Sequence, residues 1–274
     1  MKSQLDALME ARGLDAFLVL GGEGYSEVRD YMSNGAHITG GIIVKKRGAE
    51  PMLIVNGMET EEAKKSGYAI KHYGEVGYYD LLNEHSPSEA QERLWGNALE
   101  AADITGGTVG LYGSGDINVY MELTKLAQEL LTTYTFVGET GRTLFDEAFL
   151  TKDADEIERL RSVANRTNEV IEAAWNFIAG HHADGDETLV NEAGEALTIG
   201  AVKDFIRREL VACGLEDTGM IFAQGRDAGF PHSRGEADMP LKLGQSIVFD
   251  LFPRELGGGY HHDKTRTWCI RSEE

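Results

Sequence analysis

The stretch FDLFPRELGGGYHHDKTRTW, residues 249–268, constrains the fold of this chain more than any other segment. It predicts two β-strands, over residues 245–253 and 259–270, that pair around a glycine-rich turn. In a hairpin centred on that turn, Asp250 lies directly opposite Asp263 on one face of the sheet. Opposed residues have Cβ atoms about 4.5–5.5 Å apart. The sequence therefore predicts two carboxylates that repel each other.

The residues around this aspartate pair are apolar, which predicts that the pair is buried and that something neutralises it. These neighbours are Ile247, Val248, Phe249, Leu251, Phe252 and Trp268. A shared proton is one solution, but the Asp-Thr/Ser-Gly turns of an aspartic dyad are absent from the sequence. Arg254, Lys264 or Arg266 offer ion pairs, although strand alternation sends the last two to the face opposite Asp263. Divalent cations between the acids are the favoured solution. The alternative is that one aspartate only caps the turn or faces solvent.

The histidines give weaker signals than the aspartates. His232 lies in the loop sequence DAGFPHSRGEAD, from which it could exchange a proton with a substrate near the acids. A loop histidine is more often without a function, so this assignment depends on the acids. His261 and His262 are adjacent, and only one of them can face the site. The segment HHADGDE, residues 181–187, is interpreted as a solvated connection.

The order of helix and strand patterns indicates an α/β region followed by an α+β region. Strand patterns at residues 16–20, 40–46, 51–55, 68–74, 108–113 and 134–139 alternate with helix patterns at 3–12, 56–67, 87–101, 118–131 and 141–149. Such alternation is typical of an α/β layer domain. A long charged helix over 150–180 follows, then a helix over 198–212 and strands from 219 onward. We therefore predict a domain boundary near residue 150.

Composition excludes some function classes. The chain carries 46 acidic and 26 basic residues, a formal net charge of −20, so its field repels nucleic acid. The N-terminal sequence MKSQLDALMEARG lacks the apolar core of a signal peptide, and no apolar run is long enough to span a bilayer. Two distant cysteines form neither a disulfide framework nor a zinc pattern. We expect a cytoplasmic protein with no nucleic-acid or membrane partner.

The same segments resemble the Xaa-Pro aminopeptidase and prolidase family, the pita-bread metallopeptidases with a creatinase-like N-terminal domain. The resemblance is carried by SIVFDLFPRELGGGYHHDKTRTW, by the Pro-His segment FPHSRGEADMPLKLGQ and by TKDADEIERLRSVANRTNEVI. It implies an α/β creatinase-like domain over residues 1–149 and the first half of an α+β pita-bread domain over 150–274. It implies that Asp250 and Asp263 are metal ligands and that His232 is catalytic. It also implies two divalent metal ions, manganese above cobalt or zinc.

The implied function is that of a metal-dependent exopeptidase that hydrolyses Xaa-Pro bonds, as an aminopeptidase or a dipeptidase. Its substrate would be a peptide with proline at the second position, and the protein would form a homodimer. The family completes its metal site with a histidine and two glutamates after the hairpin. Here eleven residues follow Asp263, without histidine and with only Glu273 and Glu274 as glutamates. We therefore expect a chain that is C-terminally incomplete and inactive alone.

Two other functions remain open at this point. One is a metal-free amidinohydrolase of the creatinase type, against which the intact aspartate pair and Thr265-Arg266-Thr267 argue. The other is a pita-bread module that binds partners without catalysis.

Overall fold

The computed structural model describes residues 2–22 and 24–271, and it divides into two compact units, Met1–Asp153 and Ala154–Glu274. Each unit has its own hydrophobic core. Among the described residues, no helix combines the length and apolar character needed to cross a bilayer.

The first unit is built on one mixed sheet of six strands. In chain order these are β1 (Ala16–Gly21), β2 (Ile42–Lys46), β3 (Met52–Val55), β4 (Ala69–His72), β5 (Gly107–Ser114) and β6 (Tyr134–Val137). Their order across the sheet is β4-β3-β2-β1-β5-β6. Strand β2 is antiparallel to both of its neighbours, and the other pairs are parallel. The predicted α/β region is confirmed.

Both faces of this sheet are buried, as the apolar runs of its central strands require. Along β1, Leu18 belongs to one core cluster and its neighbours Phe17 and Val19 belong to the other. The helices that cover the sheet are α1 (Leu5–Ala11), α2 (Glu27–Met32), α3 (Thr60–Lys64), α4 (Tyr78–Glu84), α5 (Pro87–Ala101), α6 (Ile117–Leu130) and α7 (Leu144–Ala148). Short 3₁₀ turns at Lys2–Gln4 and Gly57–Glu59 precede α1 and α3.

Some helices depart from the prediction. The helix expected over 56–67 is a 3₁₀ turn followed by the short α3, and α2 and α4 were not predicted. Each of the two missed helices is short, so its apolar period is hard to recognise. The start of α2 does carry a signal, because the Ser26 hydroxyl accepts a hydrogen bond from the Arg29 amide. Helix α5 begins with a full capping box between Ser86 and Glu89.

The second unit packs two helices against a small antiparallel sheet. The helices are α8 (Ala154–Ala179) and α9 (Ile199–Ala212). The strands are β7 (His182–Ala183), β8 (Leu189–Val190), β9 (Leu215–Glu216), β10 (Met220–Gln224), β11 (Ser246–Leu251), β12 (Arg254–Glu255) and β13 (Lys264–Cys269), with a 3₁₀ turn at Asp227–Gly229. The main sheet has the order β10-β11-β13.

The connection between β11 and β13 is longer than the predicted turn. Strand β11 ends at Leu251 and β13 begins only at Lys264, whereas a strand was predicted from residue 259. Within the connection, β12 pairs with β9 instead of continuing the hairpin. The Glu255 carboxylate holds this segment, since it accepts hydrogen bonds from Arg159 Nη2 at 2.7 Å and from the Tyr260 amide at 2.9 Å.

Candidate functional site

The candidate site lies on the face of the β10-β11-β13 sheet that points away from the helices. The opposite face forms the core, where Ile247, Phe249 and Leu251 have no exposed surface. Because side chains alternate along a strand, Asp250 points to the other face and is half-buried. Its cross-strand partners there are Ile221 on β10 and Thr265 on β13.

The predicted register of the hairpin is wrong by two residues. Asp250 lies opposite Thr265, not opposite Asp263. The Thr265 hydroxyl donates a hydrogen bond of 2.5 Å to Asp250 Oδ1. Asp263 immediately precedes β13 and is two residues before Thr265, so strand alternation assigns it to the same face as Asp250, one diagonal step away. The cause is the long connection held by Glu255, which moves the centre of the hairpin.

The predicted burial of the aspartate pair is also wrong for Asp263, which is exposed. Of the apolar neighbours that suggested burial, Ile247, Phe249 and Leu251 alternate onto the core face. Val248 is on the face of Asp250 and lines the cleft beside it, but it does not cover Asp263. A half-buried and an exposed carboxylate repel each other less than two buried ones. A neutralising group is therefore less strongly required than the sequence suggests.

The three cations considered as partners of the aspartates bind elsewhere. Arg254 Nε pairs with Glu216, Lys264 Nζ donates to Asn168 Oδ1, and Arg266 Nη1 donates to the backbone oxygen of Thr265 at 2.7 Å. Among residues 2–22 and 24–271, no side chain forms an ion pair with Asp250 or Asp263. The charges of both carboxylates thus remain available for a ligand.

His232 shares a cleft with Asp250. The cleft has a volume of about 280 Å³. Its lining residues are Ile221, Ala223, Asp227, Ala228, Gly229, Phe230, Pro231, His232, Val248, Asp250 and Thr265. Asp263 is not among them. The cleft joins apolar walls to a small set of polar groups, which is the usual composition of a small-ligand site.

The backbone at His232 adopts an uncommon conformation. Its φ angle is +72°, in the left-handed region that a residue with a Cβ atom occupies at a cost of about 1–3 kcal/mol. The loop that leads to it is a series of turns, with the Phe230 amide bonded to the Asp227 oxygen and the Ser233 amide bonded to the Phe230 oxygen. Such local strain is found at functional sites, which supports a role for this histidine.

The neighbouring histidines do not share the cleft. His261 is exposed, and its backbone bridges to Arg254. Burial lowers the pKa of His262, and nearby Lys264 lowers it further, against the opposite effect of Asp263. His262 is therefore neutral at pH 7 and lies outside the residues that line the cleft.

The donors present fit a divalent cation in type but not in number. Carboxylate oxygens are the ligands that hard cations such as Mn²⁺ prefer, and neither aspartate forms an ion pair with a described side chain. Within the described part of the chain, however, no group of three or more His, Cys, Asp or Glu side chains is arranged to hold a metal ion. Glu273 and Glu274 lie outside the described residues. Asp250 and Asp263 can therefore contribute only part of a metal site.

Sequence reasoning missed two members of the site. The bond of Thr265 to Asp250 was not predicted, because it depends on the strand register. Asp227, the first residue of the 3₁₀ turn, lines the cleft and was not considered. Its position five residues before His232, in a loop of turns, was the available signal.

Comparison with solved structures identifies the fold. An Xaa-Pro dipeptidase from Bacillus anthracis superposes with a TM-score of 0.66 at 18% identity, over 99% of this chain and 65% of that chain. An X-Pro aminopeptidase from Thermotoga maritima superposes with a TM-score of 0.65 at 17% identity, over 94% of this chain and 64% of that chain. An X-prolyl aminopeptidase from Caenorhabditis elegans is described as a cytosolic enzyme with a di-nuclear active site. It superposes with a TM-score of 0.54 at 18% identity, over 100% of this chain and 41% of that chain. No protein-family model and no curated protein matches the sequence.

At these identities the likeness establishes the fold alone. The chain has the predicted fold class, a creatinase-like α/β unit followed by part of a pita-bread unit. The resemblance stated from the sequence is confirmed at that level. The chain spans 64% and 65% of the length of the Thermotoga maritima and Bacillus anthracis proteins, respectively.

Proposed function

We propose that this chain belongs to a metal-dependent exopeptidase that hydrolyses Xaa-Pro peptide bonds. The observation that carries the proposal is the cleft that brings His232 together with Asp250, residues separated in sequence by the whole loop before β11. The fold supports it, because the solved structures that share this fold are named as Xaa-Pro peptidases.

The residues of the cleft suit the parts of such a reaction. Asp250 and Asp263 would hold the divalent cations, and Thr265 orients Asp250 through its hydroxyl. A bound divalent ion would lower the pKa of a water molecule and polarise the scissile carbonyl. His232, exposed at the cleft, would donate a hydrogen bond to the substrate and exchange a proton with it. The apolar walls at Phe230 and Val248 would receive a proline ring and exclude water.

The finer features of the proposal come from the resemblance and from the neighbours. We propose manganese as the metal, two ions per site as in the di-nuclear Caenorhabditis elegans protein, and a homodimer. A cytoplasmic location follows the same neighbour, which is described as cytosolic.

The metal part of the proposal is tested by paramagnetic broadening in the chain itself. Small amounts of Mn²⁺ should broaden the NMR signals of Asp250, Thr265 and His232 before those of other residues. Asp250→Asn should abolish this pattern, while Glu172→Gln, an exposed acid on α8, should leave it intact. Broadening that is spread evenly over the acidic surface, or that survives Asp250→Asn, would contradict the assignment.

The catalytic part is tested by Mn²⁺-dependent release of alanine from Ala-Pro-Ala by the whole protein. We expect Asp250→Asn to lower kcat/KM by at least about 10²-fold, because a lost ligand removes metal-ion catalysis. Hydrolysis that needs no metal, or that the substitution leaves unchanged, would refute the peptidase.

A second candidate is a pita-bread module that binds peptides without hydrolysing them. The observation that favours it is the absence, among the described residues, of a complete group of metal-ligating side chains. The two candidates differ in the hydrolysis assay, since the module would bind Ala-Pro-Ala and never release alanine.

A further inference from the structure

The cleft around His232 contains a second carboxylate that the proposed metal site does not use. Asp227 lines it together with Asp250 and His232. Its side chain is 22% exposed, so it is partly removed from water while still reachable by a ligand. Among the described residues that line the cleft there is no lysine and no arginine.

Among the described residues, Arg226 is the cation that pairs with Asp227, and it neutralises this carboxylate only weakly. Arg226 Nη1 lies 4.0 Å from Asp227 Oδ1, at the limit of an ion pair, and the arginine side chain is 84% exposed. An exposed pair of this kind contributes little because water and salt screen it. The same guanidinium lies over the ring of Phe230, at 4.8 Å from the ring centre, which competes with Asp227 for its position.

The charge of the cleft therefore favours a cationic ligand group. Its described lining contains two carboxylates and no lysine or arginine, set between the apolar side chains of Ile221, Val248 and Phe230. Apolar walls strengthen the attraction between these carboxylates and an opposite charge. If Asp250 is committed to a metal ion, Asp227 is the carboxylate left for the ligand.

We propose that Asp227 binds the α-ammonium group of a peptide substrate and thereby selects peptides with a free N-terminus. The inference rests on the proposed exopeptidase function and assigns one of its specificity-determining residues. An ammonium group donates up to three hydrogen bonds, and a carboxylate that accepts them forms a charge-assisted contact. The 3₁₀ turn that begins at Asp227 fixes its backbone close to β10 and β11.

The test compares Ala-Pro-Ala with N-acetyl-Ala-Pro-Ala, in which an uncharged acetamide replaces the ammonium group. Binding is followed by the NMR signals of the cleft residues in the metal-free chain, so that it does not depend on catalysis. Each measurement is made in the Asp250→Asn background as well, where Asp227 is the carboxylate that remains among the described lining residues. We expect the free peptide to bind about 10-fold more tightly, the factor that corresponds to about 1.4 kcal/mol. This preference should fade above about pH 9, because an α-amino group has a pKa near 8.

Asp227→Asn should remove the preference, since asparagine keeps the size and the backbone bonds but not the charge. The matched control is Glu172→Gln, which changes the net charge of the same unit equally and should retain the preference. Equal binding of the two peptides by the unmodified chain would overturn the inference without use of any variant. So would a preference that Asp227→Asn leaves unchanged.

The failure of this inference can be told from the failure of the proposed function. If the whole protein hydrolyses Ala-Pro-Ala with Mn²⁺ and Asp227→Asn preserves the preference for a free N-terminus, only the role of Asp227 is refuted. If neither peptide perturbs the cleft and no hydrolysis occurs, the peptidase proposal is refuted and this inference with it.

Discussion

At the scale of single residues, the site is set by two side chains held in unusual ways. Asp250 is fixed by a hydroxyl from the adjacent strand, and His232 occupies a left-handed backbone conformation. The first arrangement orients a carboxylate, and the second raises the free energy of the folded state. A residue that costs stability at a cleft is retained there only if it has another use.

Substitution of His232 is expected to affect the free energy of unfolding and the rate of hydrolysis in different ways. We predict that His232→Asn leaves the free energy of unfolding unchanged or raises it slightly, because asparagine adopts left-handed backbone more readily than most residues. The same substitution should lower the rate of Ala-Pro-Ala hydrolysis by the whole protein about 10²–10⁴-fold, since it removes a proton-transfer group. Urea unfolding of the chain and initial-rate kinetics measure the two effects.

His232→Gly is the control for the backbone argument. Glycine is free of the Cβ clash at this φ angle, so its variant should fold as well as the asparagine variant. If both variants unfold much more easily than the original chain, the histidine has a structural role, and the interpretation of its strain is wrong.

At the scale of elements, the connection between β11 and β13 decides where Asp263 lies. Glu255 on β12 accepts from Arg159 and from the Tyr260 amide, and its other oxygen is 3.6 Å from Arg166 Nη2. Gly259 is required beside it, because a Cβ atom there would stand 2.4 Å from Glu255 Oε2 at a φ of +115°. Helix α8 therefore positions the segment that precedes β13.

We predict that Glu255→Gln loosens this segment. The substitution removes the charge from a carboxylate that is only 19% exposed and leaves two guanidinium groups with a weaker partner. A loss of about 1–3 kcal/mol in the free energy of unfolding is expected. Hydrogen exchange at the Tyr260 and His262 amides should accelerate, while exchange within β10 should not.

Glu172→Gln, on the same helix but exposed, is the comparison for Glu255→Gln. An equal loss of stability in both variants would mean that net charge, and not the contact with β12, is responsible.

At the scale of the whole molecule, the excess of acidic groups makes stability depend on pH in two opposite ways. Burial alone would raise the pKa of Glu139, but hydrogen bonds from Tyr112, Leu144 and Arg12 outweigh it and lower that pKa. Stability from Glu139 is therefore lost as pH falls through its folded pKa. Glu92 behaves in the reverse manner, because burial raises its pKa and the neighbouring Glu89 carboxylate raises it further.

Glu92 is fully buried, and neither carboxylate oxygen has a hydrogen-bond partner among the described residues. Its folded pKa lies above the unfolded value of about 4.3. The folded state thus holds the proton more tightly than the unfolded state, and stability is lost as pH rises between these two values.

We predict that Glu92→Gln becomes more stabilising, relative to the original chain, as pH is raised from about 4 to 7. The gain at pH 7 should be about 1–2 kcal/mol, in the range for burying a polar group without a partner. Urea unfolding at a series of pH values measures it, with the exposed Glu100→Gln on α5 as the control. A difference that does not change with pH would show that Glu92 is not the titrating group.

Several features could be predicted from local sequence because they depend on local periodicity. The apolar run of β1 and the alternation of β11 fix which residues are buried, and Gly-rich segments mark where strands end. Strand alternation selected Asp250 as a candidate together with Asp263, and His232 followed as a loop histidine whose assignment depended on those acids.

The sequence by itself determined the order of the main strands and the longer helices, the apolar character of β1 and β11, and two of the residues that meet in the cleft. Only the tertiary structure decided that Asp250 pairs with Thr265, that Asp263 stands exposed beside them and that Asp227 joins the cleft. The physical reason is that strand register is set by contacts between segments far apart in the chain. Here these are the contacts of Arg159 and Arg166, on α8, with the Glu255 carboxylate. The periodicity of a short segment carries no information about those contacts.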